Sequence, residues 1–326
     1  MKHCATILIF ILLLSCNRNS REGTVKTMAD RFPVDIAAKD SVVEFPNMFA
    51  LEEWGIKGDT LFILSSGQDS IVSMISMENM SLLQSFGSIG QGPDELLHPN
   101  LLKSEQGGMF LGDGMSGRIR RIDKGYPGEI ISNPERPIPM NDACLVGRSH
   151  LAYVFYSPRK TQLLIQELSS GSVSDSLSVP MLEPYPKTEI STMGLKVNSN
   201  GKFFVAAYQG VDRFDIVRQS DNHFMDPNVY KGSSPAGEHR FFFIDVNCGS
   251  DFFAVLSMKG KDVFSEKSFP DIEIYAYDGS PLARLRIDFL ASKVLIDDEE
   301  NRLLLLSAND ENLHLIPIPE QMIRHE

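Results

Sequence analysis

The chain has 326 residues, and its 43 Asp+Glu against 31 Lys+Arg leave a formal charge of −12. So acidic a body argues against nucleic acid, whose phosphates need a basic face, and against electrostatic adhesion to anionic lipid. At this length the chain makes either two average domains or one all-β barrel or propeller.

The first residues read MKHCATILIFILLLSC. Lys2 and His3 form a short basic start, and Ile7 to Leu14 is an unbroken apolar run. That run is too short to cross a bilayer, which takes about 20 apolar residues, and has the length of a secretory signal core. Leu13-Leu14-Ser15-Cys16 resembles the bacterial lipobox, in which the cysteine is diacylated and becomes the mature N-terminus. Leu14 is bulkier than the usual residue at its position. The alternative is an ordinary cleaved signal with Cys16 as a stray thiol, but the cysteine falls where the apolar run ends. The expectation is a leader over 1–15, lipidation at Cys16 and a polar, flexible tether over 16–38. Asn17-Arg18-Asn19-Ser20 lacks the acidic cluster of a surface-export signal, which favours the periplasmic face of the outer membrane over the cell surface. Of the other cysteines, Cys4 leaves with the leader, and Cys144 and Cys248 read as two separate buried thiols rather than a disulfide framework.

From about Ser41 the pattern changes to short runs rich in Val, Ile, Phe and Leu, broken by Gly, Asp, Asn, Ser and Pro. These are strand-length and often alternate with polar residues, and no long amphipathic helix interrupts them. One unit runs from Leu51 through LFILSS (61–66) to LLQSFG (82–87), and a second covers 101–132. The third lies within 143–180, the fourth within 191–219, the fifth within 240–288 and the last within 293–319. Units of roughly 45 residues match a four-stranded propeller blade. The last unit supplies three strands, and DSVVEF (40–45) is a strand without a unit of its own. A six-bladed β-propeller over 39–320, closed by that N-terminal strand, accounts for both and leaves no open sheet edge in the ring. Two β-sandwich domains would explain the strand density but not the repeats.

The segments RFFFIDVNCGSDFFAVLSMKG (240–260) and IEIYAYDGSPLARLRIDFLASKVLIDDEENRLLLLSA (272–308) resemble the TolB-like six-bladed β-propeller lipoproteins of Bacteroidota. FGSIGQGPDEL (86–96) is similar to the inter-blade phrase of the same group, with Asp94 in place of a Gly and Leu96 in place of Phe. The resemblance implies a fold and an envelope location, and carries no catalytic residues to transfer.

Gly87-Ser88-Ile89-Gly90-Gln91-Gly92-Pro93 has the look of a phosphate loop, but no helix follows it and the Walker lysine is absent. Glycines allowing positive φ in a tight connection explain it better. Asp297-Asp298-Glu299-Glu300 and Asp310-Glu311 lack the spacing of a calcium loop and read as acidic turns. The histidines show no ligand spacing and no nucleophile elbow accompanies them, so each reads as a surface or turn residue. The strand aromatics and Trp54 read as packing between blades.

In a propeller, loops entering the innermost strands rim the central channel. That geometry makes His239, Arg240, Asn141, Asp142, Lys196 and Asn198 the candidate binding residues. The expected function is a non-catalytic binding or scaffolding module, anchored through its lipid, whose partner is an envelope protein, peptide or glycan. No cofactor or metal is expected. The rival is a propeller lactonase or lyase with an axial metal held by carboxylates or carboxamides from several blades.

Overall fold

The computed structural model describes residues 23–44, 51–65, 70–92, 94–104, 107–122, 128–132, 137–138, 140, 142–157, 160–179, 195–233, 241–261, 268–309 and 312–323. Near the N-terminus lie three short strands, β1 (Thr24–Thr27), β2 (Val34–Ala37) and β3 (Ser41–Val43). Antiparallel meanders follow. The first is β4 (Leu51–Lys57), β5 (Thr60–Ser65), β6 (Val72–Ser76) and β7 (Leu82–Phe86). Next come β8 (Pro99–Ser104), β9 (Met109–Asp113), β10 (Ile119–Arg121) and β11 (Ile130–Ser132), then β12 (Cys144–Val146), β13 (His150–Ser157), β14 (Lys160–Glu167) and β15 (Val173–Val179). These two join into one eight-stranded sheet because β8 and β12 pair in parallel, Lys103 opposite Cys144. Then come β16 (Leu195–Ser199), β17 (Phe203–Tyr208), β18 (Arg213–Ser220), the two-residue β19 (His223–Phe224) and β20 (Asn228–Lys231). The chain continues through β21 (Phe243–Cys248), β22 (Phe252–Ser257), β23 (Asp271–Ala276) and β24 (Pro281–Arg286). It finishes with β25 (Ala291–Asp297), β26 (Arg302–Ser307), β27 (Leu313–Pro317) and one short helix, α1 (Glu320–Ile323). Among the described residues, no helix is long and apolar enough to cross a membrane.

Hairpin chemistry sets the registers. At β23–β24, Asp278 Oδ1 accepts from Ser280 N at 2.8 Å, and Gly279 sits at φ +82° with the Tyr230 ring where a Cβ would be. The middle strands are buried on both faces: β22 and β5 each show a single partly exposed residue, at the first position, and then continuous burial. That is why they read as unbroken apolar runs rather than alternation. Their side chains meet those of the next meander. Leu61, Ile63 and Ile75 pack on Leu295, Leu304 and Leu313 of the last one, so the first and last units touch. Similar clusters join β22–β24 to β25–β27, β12–β15 to β16–β18, and β17, β18 and β20 to β21–β23. The first and second meanders and the second and third are joined in the same way. Aromatics fill these seams: Phe203 stacks on Tyr277 at 4.2 Å, and Phe214 meets Phe253 and Tyr275 edge-on or tilted.

The stretch expected to be a tether as far as residue 38 is partly structured. From residue 24 the chain runs along the outer edges of consecutive sheets, β1 in parallel on β20 and β2 in parallel on β24, before β3 adds antiparallel to β27. The reason is unsatisfied backbone: each outermost strand offers a row of N–H and C=O groups that a further strand can pair. Met28, between β1 and β2, is buried against Lys259 and Tyr275. Beneath it lies a charged cluster. Glu273 is 1% exposed and receives Arg284 at 3.0 Å, Lys259 at 3.2 Å and the Tyr275 hydroxyl at 2.7 Å.

Candidate functional site

The innermost strands of successive meanders touch in chain order. β4 meets β8, β8 pairs with β12, the Cys144 thiol reaches Ser199 Oγ of β16 at 3.6 Å, β16 meets β21, β21 meets β25, and β25 returns to β4. At the centre of that ring is a cavity of about 210 Å³. Residues from every one of these strands or their entry loops line it, including Glu52 and Glu53, Lys103, Asp142, Lys196, Asp245 and Lys293. In chain order the charges alternate: acidic at β4, basic at β8, acidic ahead of β12, basic at β16, acidic at β21, basic at β25.

Of the innermost strands, β4, β16, β21 and β25 are sheet edges, while β8 and β12 pair with each other, and N–H groups of β8, β21 and β25 are met by side chains of the preceding unit. Glu53 accepts from the Leu101 amide, Asn198 Oδ1 from the Cys248 amide at 2.9 Å, Asp245 Oδ2 from Val294 at 2.9 Å, and Asn247 Oδ1 from Ile296 at 3.0 Å. The acidic and amide groups of the wall therefore hold the ring together as well as shaping the cavity. Burial raises the Glu53 carboxyl from 4.5 to about 8, against the Leu101 amide, with Asp142 and Glu52 pushing the same way. Burial raises Asp245 too, opposed by Lys293. Lys103 is lowered by burial, with Cys248 and Asp298 acting weakly the other way. It is half-buried and lines the cavity. Cys144 and Cys248 are free and buried, and burial pushes the Cys248 thiol up to about 12.

Of the residues proposed from sequence, Asp142, Lys196 and Asn198 lie on the cavity wall. Asp142 adopts φ +48° in the turn before β12. Asn141, His239 and Arg240 lie outside the described residues. Trp54 packs in the seam between the first and last meanders and also lines the cavity. Sequence reasoning missed Glu53, Lys103, Asp245 and Lys293, each a charge inside an innermost strand. Their signal was the recurrence of such a residue at blade spacing: the side-chain to amide bonds between neighbouring units span 48, 50 and 49 positions.

The glycine segment is a connection between units. Gly87 has φ +78°, Gly92 N donates to Glu95 Oε2 at 2.7 Å, and Leu96 N to Ser88 O at 3.0 Å. Pro93 is outside the described residues. In the acidic turn, Asp297 is buried and accepts from Arg302 Nε at 2.9 Å, while Asp298 accepts from the Ser250 amide and hydroxyl, each at 2.9 Å. Asp310 and Glu311 are outside the described residues. Among the described residues, no three His, Cys, Asp or Glu side chains are grouped to hold a metal ion. His314 departs from the expected surface role. It is 6% exposed in β27, bonded through Nδ1 to Asp40 and stacked on Phe289 at 3.7 Å.

No protein-family model matches the chain, and no curated protein sequence matches it. Solved structures do. U3-55K is 10% identical with a TM-score of 0.52, over 86% of this chain and 98% of that one. The WD40 repeats of RRP9 are 9% identical with a TM-score of 0.49, over 90% and 99%. The Cps50 (Swd1) β-propeller domain of Myceliophteria thermophila is 9% identical with a TM-score of 0.47, over 86% and 100%. With the ring of packed meanders, the likeness to U3-55K shows the fold: an all-β chain forming a β-propeller.

Proposed function

We propose that this chain is an envelope lipoprotein whose propeller has six four-stranded blades and works as a non-catalytic binding module, with its ligand site at the axial cavity. Cys16 carries the lipid after the leader 1–15 is removed, and the molecule sits at the periplasmic face of the outer membrane. The TolB-like lipoproteins of Bacteroidota are the family this reading fits. The apolar run ending at Cys16 supports the anchor. One observation carries the binding role. The wall's acidic and amide groups are bonded to backbone amides of neighbouring units or alternate with lysines. Side chains placed in this way recognise a ligand by charge.

The test has two arms. In cells fed an alkyne fatty acid, the wild-type chain takes up label and fractionates with the outer membrane, and Cys16→Ser does neither. The purified mature protein, given divalent cations, leaves a panel of lactones unchanged. Metal-dependent turnover of any lactone would overturn the binding reading, and an unlabelled wild-type chain would overturn the anchor.

A further inference from the structure

The axial cavity has two layers of different chemistry. Neighbouring innermost strands run side by side in one direction: β8 and β12 pair in parallel, and the bonds from Asp245 to Val294 and from Asn247 to Ile296 advance in step. Glu52, Glu53, Lys196, Asp245 and Lys293 lie in the first half of their strands, and Asp142 lies ahead of β12. Lys103, Asn198 and Asn247 lie in the second half and line the same cavity. Contacts around the ring put these three at one level. Lys103 is opposite Cys144, the Cys144 thiol reaches Ser199 Oγ, and Asn198 Oδ1 takes the Cys248 amide beside Asn247. β21 is three strands from β8 in either direction round the ring, so Asn247 and Lys103 face each other over the axis. The Lys103 charge acts on Cys248 of β21 and on Asp298 after β25, so the amine reaches across toward Asn247.

This second layer presents donors. The oxygens of Asn198 and Asn247 are taken by the Cys248 and Ile296 amides at 2.9 and 3.0 Å, which leaves each carboxamide its NH2 group. Among the described residues no acceptor meets either NH2 group, although Asn247 is 3% exposed, and none meets the Lys103 ammonium. Lys293 donates to Glu52 O, and Lys196 is exposed, both in the other layer. An ammonium and two amide donors without acceptors in one wall are costly, and one small anion removes the cost. At about 210 Å³ the cavity holds on the order of seven waters. One ammonium balances one negative charge, and a dianion would bring in a second without compensation. We propose that the cavity binds a small monocarboxylate anion, with Lys103 Nζ as its counter-ion and Asn198 and Asn247 Nδ2 donating to its two oxygens. This deepens the binding-module reading and rests on it.

The experiment titrates the mature, full-length protein at constant ionic strength, read by calorimetry and by the fluorescence of Trp54, the only tryptophan, which lines the cavity. The probes are acetate, propionate, lactate and pyruvate, their uncharged amides, the dianions malonate and phosphate, and chloride. The expected result is saturable binding of at least one monocarboxylate, with its amide, the dianions and chloride weaker by at least about tenfold. Lys103→Met should bind the amide as well as the acid. Asn247→Asp keeps the oxygen that accepts from Ile296 N and puts a negative oxygen in place of the NH2 group, so it should weaken the acid by at least about tenfold. The wild-type series decides the matter even if either variant fails to fold. No saturable binding of any monocarboxylate, equal affinity for an amide, a dianion or chloride, or an unchanged preference for the acid in folded Lys103→Met overturns the proposal. The binding-module reading survives each of these if another small charged compound binds and lactones remain unturned. Lactone turnover removes that reading whatever the carboxylates do.

Discussion

Glu53→Gln should flatten the pH dependence of stability between pH 5 and pH 8. In the folded chain burial holds the Glu53 carboxyl at about 8 against an ordinary 4.5. The folded value is the higher one, so the folded state keeps its proton while the unfolded state releases it. Stability therefore falls as pH rises from 4.5 towards 8 and levels off above that. At about 1.4 kcal/mol per pH unit, the loss attributable to this group between pH 5 and pH 8 is about 3 kcal/mol. Glutamine keeps the oxygen that accepts from Leu101 N and removes the titration, so the difference between the two proteins isolates Glu53. The assay is urea unfolding at half-unit pH steps, with the other titrating groups common to both proteins. The variant should gain on the wild type by about 3 kcal/mol across that window. Parallel stability profiles would show that Glu53 titrates as an exposed carboxylate and that the cavity is wetter than its enclosure implies.

Three further outcomes test the scaffold. Glu273→Ala takes from Arg284 its carboxylate partner and leaves Lys259 with Asp212 alone, and should cost about 3 kcal/mol in urea unfolding. Asn247→Ala strands the buried Ile296 amide, a loss of about 1–3 kcal/mol read in the same assay. At Gly279→Ala a Cβ would fall 2.0 Å from the Tyr230 ring in a residue at φ +82°. That variant should lower the thermal midpoint, with a cost of at least about 1 kcal/mol.

Most strands from β4 onward were legible because face-to-face packing buries their middle strands almost throughout, which takes apolar runs such as LLLL at 303–306 and FFAVL at 252–256. The strands β1 and β2 were not legible. Their side chains are almost wholly exposed on the outside of the ring, so TVKT and VDIA look like polar linker, and what holds them is backbone pairing that composition does not record. β20 was missed for a related reason: NVYK is four residues long with two exposed or half-exposed positions. In the cavity, Asp142, Lys196 and Asn198 could be found because they lie at or near the entry to an innermost strand. Lys103 and Asp245 were hidden because one charge inside LLKS or FIDVN reads as the solvent side of an alternating strand. In the ring that side is the axis. His314 was hidden likewise, since HLI gives no sign that Asp40, from the N-terminal segment, returns to meet it.

The most direct test of a non-catalytic axial binding site adds a panel of small charged metabolites, one at a time, to the purified mature protein, reads Trp54 fluorescence, and recovers each compound by chromatography afterwards. The account predicts a saturable change with at least one compound, recovered unchanged. Conversion of a compound to another, or no saturable change with any of them, would contradict it.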